Sequence, residues 1–192
     1  MSAAVPRPRL WTREEYYKMA EAGVFRPGER VELIGGRIVT MSPQNSPHAT
    51  TLTLAHEELR TLFGTGYVVR IQLPLDLNPS SQPEPDIAVV RGSIRDYASA
   101  HPTTALLVVE ISESTLTFDQ REKGSLYASA SVPEYWVMNL LDRRLEVYRD
   151  PVAMTGQLDG YGYRSCTHYF AADAVVPLAA PHGTIKVADL LP

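Results

Sequence analysis

Ala105-Leu-Leu-Val-Val-Glu-Ile111 is an apolar run without alternation, interrupted only by the carboxylate of Glu110. A strand with one wet face alternates apolar and polar residues, whereas a strand buried on both faces does not. The run therefore reads as a central strand of a sheet covered on both sides. Downstream, Thr117-Phe-Asp-Gln120 reads as a capping box opening a helix to about Ala130. Glu134 to Asn139 and Arg144 to Tyr148 follow as a strand pair turning at Leu141-Asp142-Arg143. From Pro151 the chain turns Gly-rich, then carries a strand at Tyr161–Phe170 and a short closing element to Leu191.

Upstream, Asp86-Ile-Ala-Val-Val90 is a second short strand, reached through a Pro-, Ser- and Asn-rich loop from Asn78 to Pro85. Tyr67-Val-Val-Arg-Ile71 reads as a strand continuing raggedly past Pro74 to Leu77. Ser46-Pro47 opens a helix, with Ser as N-cap and Pro at the tolerated first position. Its buried stripe is Ala49, Leu52, Ala55, Leu59 and Leu62, and Gly64 ends it. Val31-Glu-Leu-Ile34 and Arg37-Ile-Val-Thr-Met41 flank Gly35-Gly36, the clearest hairpin signal in the chain. Thr12-Arg-Glu-Glu15 is a capping box for a first helix ending near Gly23. Residues 1–11 read as an arm and 12–192 as one domain. The fold class is α/β (α+β), a central mixed sheet flanked by helices.

The 192 residues carry 44% hydrophobic and 21% charged side chains, as an ordinary globular protein does. No apolar run approaches the ~18 residues of a membrane span, and the N-terminus lacks a secretory apolar stretch. One cysteine, Cys166, rules out an intramolecular disulfide and a cysteine-rich zinc site. A cytoplasmic location is the expectation. The net charge of −4 argues against a protein that coats nucleic acid, since such binding rests on many Lys/Arg–phosphate contacts. It is compatible with an enzyme whose acidic metal site sits within a local groove.

Chemistry concentrates on Asp86, at the start of its strand, and Glu110, deep in the apolar run. A carboxylate so placed is costly to ionise unless paired or bound to a cation. Hard oxygen ligands from adjacent strand ends suit Mg²⁺ or Mn²⁺. Taken singly, each has a plainer reading, as a turn cap or an ion-pair partner. Asp119, Lys123 and Tyr127 stand four apart on the following helix, and on periodicity alone Asp119–Lys123 reads as a surface ion pair. The alternative brings Lys123 back over the strand end bearing Glu110. His48, in the first turn of its helix, is either packed or close to a phosphate. Glu32 is either exposed or near the site. Ser112, Ser114 and Thr115 read as turn and cap residues.

Taken together, these residues resemble one family. Glu-Pro-Asp-Ile-Ala-Val-Val (84–90), Leu-Val-Val-Glu-Ile-Ser-Glu-Ser-Thr (107–115), Asp119, Lys123, Tyr127 and Val-Pro-Glu-Tyr-Trp-Val (132–137) resemble the bacterial Uma-type family. The hairpin at 32–39 and the Ser-Pro-His start of the second helix fit it too, so the resemblance spans roughly residues 12–150. The family belongs to the restriction-endonuclease-like PD-(D/E)XK superfamily.

The resemblance implies a divalent cation, Mg²⁺ or Mn²⁺, on Asp86, Glu110 and the Ile111 carbonyl. Lys123 stands in for a lysine that the superfamily usually places where Ser112 stands here. Glu32, His48, Asp119 and Tyr127 match supporting positions. Glu113 stands where a proline is common, and Asn139 where an aspartate is common. The implied activity is hydrolysis of DNA phosphodiesters, with Asp119 orienting Lys123, and His48 and Arg121 contacting neighbouring phosphates. Cutting a duplex calls for two sites, so a homodimer is expected. The rival readings are a nuclease fold that binds nucleic acid or a protein partner without cutting, and a structural module with ion-paired carboxylates.

Overall fold

The computed structural model describes residues 7–192. Of the expected arm, residues 1–6 lie outside the described residues; residues 7–12 form no regular element. The first helix, α1 (Arg13–Glu21), starts as expected: Thr12 Oγ1 accepts from Glu15 N at 3.2 Å and Glu15 Oε2 from Thr12 N at 3.0 Å. The hairpin of β1 (Val31–Ile34) and β2 (Arg37–Thr40) turns through Gly35 and Gly36, with φ of 55° and 75°. Positive φ at both turn residues is what a tight two-residue hairpin demands.

Helix α2 (Ser46–Phe63) is capped by Asn45 rather than Ser46; the Asn45 side chain accepts from His48 N at 3.0 Å. Pro47 then sits one position further in, where a missing N–H is still harmless. Ala49 is exposed and Leu62 only half-buried, with Thr51 and Phe63 joining Leu52, Ala55 and Leu59 on the buried face.

Six strands form the main sheet in the order β3 (Tyr67–Ile71), β4 (Ile87–Arg91), β5 (Leu107–Ser112), β6 (Glu134–Asn139), β7 (Arg144–Ala153) and β8 (Tyr161–Phe170). All neighbours are antiparallel except β5 and β6. A parallel pair needs a crossover connection, and here a helical run over residues 116–129, α3, provides it. β3 stops at Ile71, short of the expected extension, because Gln72 takes a left-handed φ of 49°. β7 runs on through Pro151 to Ala153, where turn structure was expected.

Side-chain alternation sorts the sheet into two faces. Ile87, Val89, Leu107, Val109, Trp136 and Met138 pack with α2 and with the closing segment, β9 (Ala174–Val175) and β10 (Ile185–Lys186). Ala88, Val90, Val108, Tyr135 and Val137 pack on the other face with Tyr127 of α3. β5 is buried at every position, as its unbroken apolar run requires. Among the described residues no helix is long and apolar enough to cross a membrane.

α3 begins at Leu116, and the capping box expected at Thr117 does not form. Its N-cap, Thr115, donates its hydroxyl to Asp119 at 2.6 Å instead of capping the backbone. Asp119–Lys123 makes a π-helical turn before α-helix resumes at Gly124–Ser129. The wider turn leaves the Asp119 carbonyl to be shared, and Tyr135 Oη donates to it at 3.0 Å.

Gly36 locks the hairpin to the N-terminal segment: Trp11 N donates to its carbonyl at 2.8 Å, and it donates to Ser80 O at 2.7 Å. A Cβ on Gly36 would lie 2.6 Å from Leu10 Cβ, whereas one on Gly35 would meet nothing within 4 Å. Gly35→Ala should therefore cost about 1 kcal/mol from backbone strain alone. Gly36→Ala adds a clash and should cost about 2–3 kcal/mol. Urea unfolding of the two variants side by side checks the order.

Candidate active site

The register that pairs Ile87 with Val109 carries Asp86 opposite Glu110, on the face turned toward α3. Asp86 is 8% exposed and Glu110 4%. Asp86 is held from three elements. Its Oδ2 accepts from Ile111 N of β5 at 2.8 Å and lies 3.1 Å from His48 Nε2 of α2. Its Oδ1 accepts from Gln72 Nε2 at 2.9 Å. Burial opposes its ionisation, but the His48, Ile111 and Gln72 bonds outweigh that and keep its pKa below the ordinary carboxylate value.

Glu110 has a different environment. Its Oε1 accepts from Lys123 Nζ at 3.0 Å and from Tyr127 Oη at 2.6 Å. Both bonds fall on one oxygen, so Oε2 has no protein donor among the described residues. Lys123 is 1% exposed, so the expectation of a surface ion pair with Asp119 fails. The π turn keeps Asp119 and Lys123 on the inner face, where four α-helical residues would have drifted around the axis. The direct contacts of Lys123 come from Glu110 and from Glu32 of β1, whose Oε2 lies 3.3 Å from Nζ. Asp119 bonds Thr115 and acts on Lys123 through its field alone. Glu32 is 2% exposed, which resolves its two readings in favour of the site.

One ammonium cannot neutralise this set. Glu32, Glu84, Asp86, Glu110, Glu113 and Asp119 line the cleft against Arg30, Lys123 and His48. Burial pushes the Glu110 carboxyl well up, against the pull of Lys123, and raises Glu32, Glu84 and Asp119 as well. Lys123 moves up, because attraction by Glu110, Glu32 and Asp119 exceeds its own desolvation.

Such a surplus of buried negative charge is what a bound cation relieves. Hard carboxylate oxygens, with Glu110 Oε2 unclaimed, fit a divalent ion of the Mg²⁺ class, which takes one or two carboxylates and keeps several waters. The cleft holds about 100 Å³, enough for an ion and a few waters.

Gln72 and Glu84 carry no sequence signal that marks them. The Gln72 backbone donates to Pro85 O and Asp86 O at 3.1 and 3.2 Å, a left-handed turn invisible to any pattern. Glu84 stands in the Glu-Pro-Asp stretch, whose spacing could have drawn attention to it. Arg121 is exposed and lines an adjoining cleft rather than the acidic one.

Elsewhere, the ligand atoms of Glu146, Cys166 and His168 lie within 4.8 Å of one another. Glu146 is already saturated there by Asn139, Tyr148, Gln120 and Arg144. Burial opposes its ionisation, yet those bonds bring its pKa down to about 2, and the adjacent guanidinium disfavours a cation.

Residues 13–176 match the family Uma2, described as "Putative restriction endonuclease". No curated protein matches the chain. Among solved structures it is similar to "a putative nuclease belonging to DUF820" from Anabaena variabilis ATCC 29413, with 14% identity and a TM-score of 0.69. That alignment covers 93% of this chain and 96% of the other. At this identity the likeness is one of fold.

Removing Lys123 should leave Glu32 and Glu110 buried together without their cation. Breaking a buried pair on one side costs about 3–5 kcal/mol, so Lys123→Met should lose that much near neutral pH in EDTA. A carboxyl whose folded pKa is raised binds more protons folded than unfolded. Its stability is therefore fullest below the unfolded value and falls as pH rises toward the folded one. The deficit of Lys123→Met should accordingly shrink toward pH 4, where protonated carboxyls no longer repel. Denaturant titrations at both pH values read the difference; an equal deficit would contradict the arrangement.

Proposed function

The chain belongs to the Uma2 family of restriction-endonuclease-like proteins, and from that membership and the geometry of its acidic cleft we propose that it is a metal-dependent endonuclease hydrolysing DNA phosphodiester bonds. The observation that carries the proposal is the convergence of Asp86 and Glu110 on one sheet face with the ammonium of Lys123 at 3.0 Å from Glu110. In this reading residues 12–192 work as one unit.

Asp86 and Glu110, with the Ile111 carbonyl, would hold Mg²⁺ or Mn²⁺. That ion supplies positive charge to a phosphate oxygen and lowers the pKa of water. Asp86 is the better-prepared ligand, since its hydrogen bonds keep it ionised. Glu110 presents Oε2, because Tyr127 and Lys123 fix the carboxylate through Oε1. Lys123 orients the attacking water or offsets charge developing on phosphorus, a preorganised electrostatic role that needs no movement of the side chain. Tyr127 is a positioning residue for Glu110. Gln72 and His48 position Asp86, and His48 is also placed to meet a neighbouring phosphate. Glu32 keeps Lys123 charged when the cation occupies Glu110.

A nuclease fold that binds nucleic acid without cutting remains a second reading, favoured by the acidic net charge.

With Mn²⁺ or Mg²⁺ the purified protein should cleave DNA. Asp86→Ala, Glu110→Ala and Lys123→Ala should each lower the rate about 100-fold or more. Calorimetry with Mn²⁺ should show binding that Asp86→Ala and Glu110→Ala abolish and Lys123→Ala retains. Intact DNA in every assay, with heat of binding unchanged in Asp86→Ala, would sink the proposal.

A further inference from the structure

We propose that the substrate strand is single or locally unpaired DNA, its bases lodged in the cleft beside the acidic site; this rests on the nuclease reading above. The acidic cleft, at about 100 Å³, has no room for a nucleotide. Beside it opens a second cleft of about 1120 Å³, and Glu113, Ser114 and Thr115 line both. A phosphate at the first would therefore place its nucleoside in the second.

The walls of the second cleft suit an exposed base. Leu116 and Phe118 project from the start of α3, Leu141 from the β6–β7 turn and Leu158 from the β7–β8 loop. Leu141 and Leu158 are 64% and 63% exposed, an apolar surface left wet at the mouth of a polar site. The flat face of an unstacked base is apolar, while a duplex hides those faces and presents phosphates and edges.

Charge points the same way. Non-specific duplex binding draws on about 6–10 phosphate contacts. Of the cations at the two clefts, Lys123 is spent on Glu110 and Glu32, which leaves Arg30 at one and Arg121 at the other. Neither is in an ion pair among the described residues. The nearby Arg37 is engaged by Glu122 at 2.5 Å, which also compensates that acid on the cleft wall, and Glu113 is bonded by Asn45. Two free arginines, one on either side of the reacting position, can flank the phosphates of one strand. They are too few to hold a duplex.

Fluorescence anisotropy in EDTA, with a labelled strand of about 20 nucleotides and its blunt duplex, tests this without metal. The single strand should bind at least about tenfold tighter and, with Mn²⁺ added, be cut faster. Phe118→Ala should weaken single-strand binding about tenfold. The double variant Leu141→Ser/Leu158→Ser, whose exposed positions leave folding intact, should do the same. Arg121→Ala should reduce the slope of log affinity against log salt by about 0.7. Duplex bound equally or more tightly, or single-strand binding unchanged in the double variant, overturns the assignment; Mn²⁺-dependent cutting of the duplex would then leave the nuclease reading standing. No binding and no cleavage on either form removes both.

Discussion

A lysine ammonium held at 1% exposure between two carboxylates is the constraint on which the rest of this structure depends. Taking three charges out of water costs several kcal/mol per ion unless each finds its partner. The partners here come from β1, β5 and α3, separated by 91 and 13 residues of sequence from Lys123. The hairpin must therefore dock against the sheet face that α3 covers, or Glu32 and Lys123 are each left short of charge. Gly36, which lets the N-terminal segment lie against the hairpin turn, and Tyr135, which takes up the Asp119 carbonyl, both serve that docking.

The two principal carboxylates divide the work through their surroundings. Asp86 sits at a strand end where α2, β5 and the turn at Gln72 each supply a donor, so it stays an anion. Glu110 lies deeper, among aromatic rings, and shares its one cation with Glu32. A divalent ion arriving between them would meet one ligand already charged and another whose charge it helps to restore. Burial thereby makes the affinity of the site for cations a consequence of its own frustration.

Much of this was legible in the sequence. The unbroken apolar run of β5 announced a strand covered on both faces, and the carboxylate inside it announced a site. The glycine pair gave the hairpin, and the period of two fixed which face Asp86 and Glu110 share. Lys123 was legible only through resemblance, because four-residue spacing on a regular helix reads as a solvent-facing pair. What separates the two cases is a π turn, a change in helical pitch for which the residues Asp119–Lys123 carry no distinctive composition. Gln72 was hidden for a related reason: its value lies in a left-handed backbone that a glutamine does not advertise. The cap of α2 moved by one residue because Asn45 and Ser46 are both competent caps, and only the path of the loop chooses between them.

The π turn has a further consequence, in terms of chain length rather than chemistry. Such a turn holds one residue more than an α-helical turn would over the same rise. Deleting a single residue between Asp119 and Lys123 would return the helix to regular winding and rotate all that follows by about 100° relative to what precedes. Tyr127 and the apolar face behind it would then compete with Asp119 for the same side of the sheet. In most surface helices an indel can be absorbed by a neighbouring loop. Here the register between the strand carrying Glu110 and the helix carrying its lysine is counted residue by residue, which makes this segment tolerant of substitution on its outer face and intolerant of any change in length.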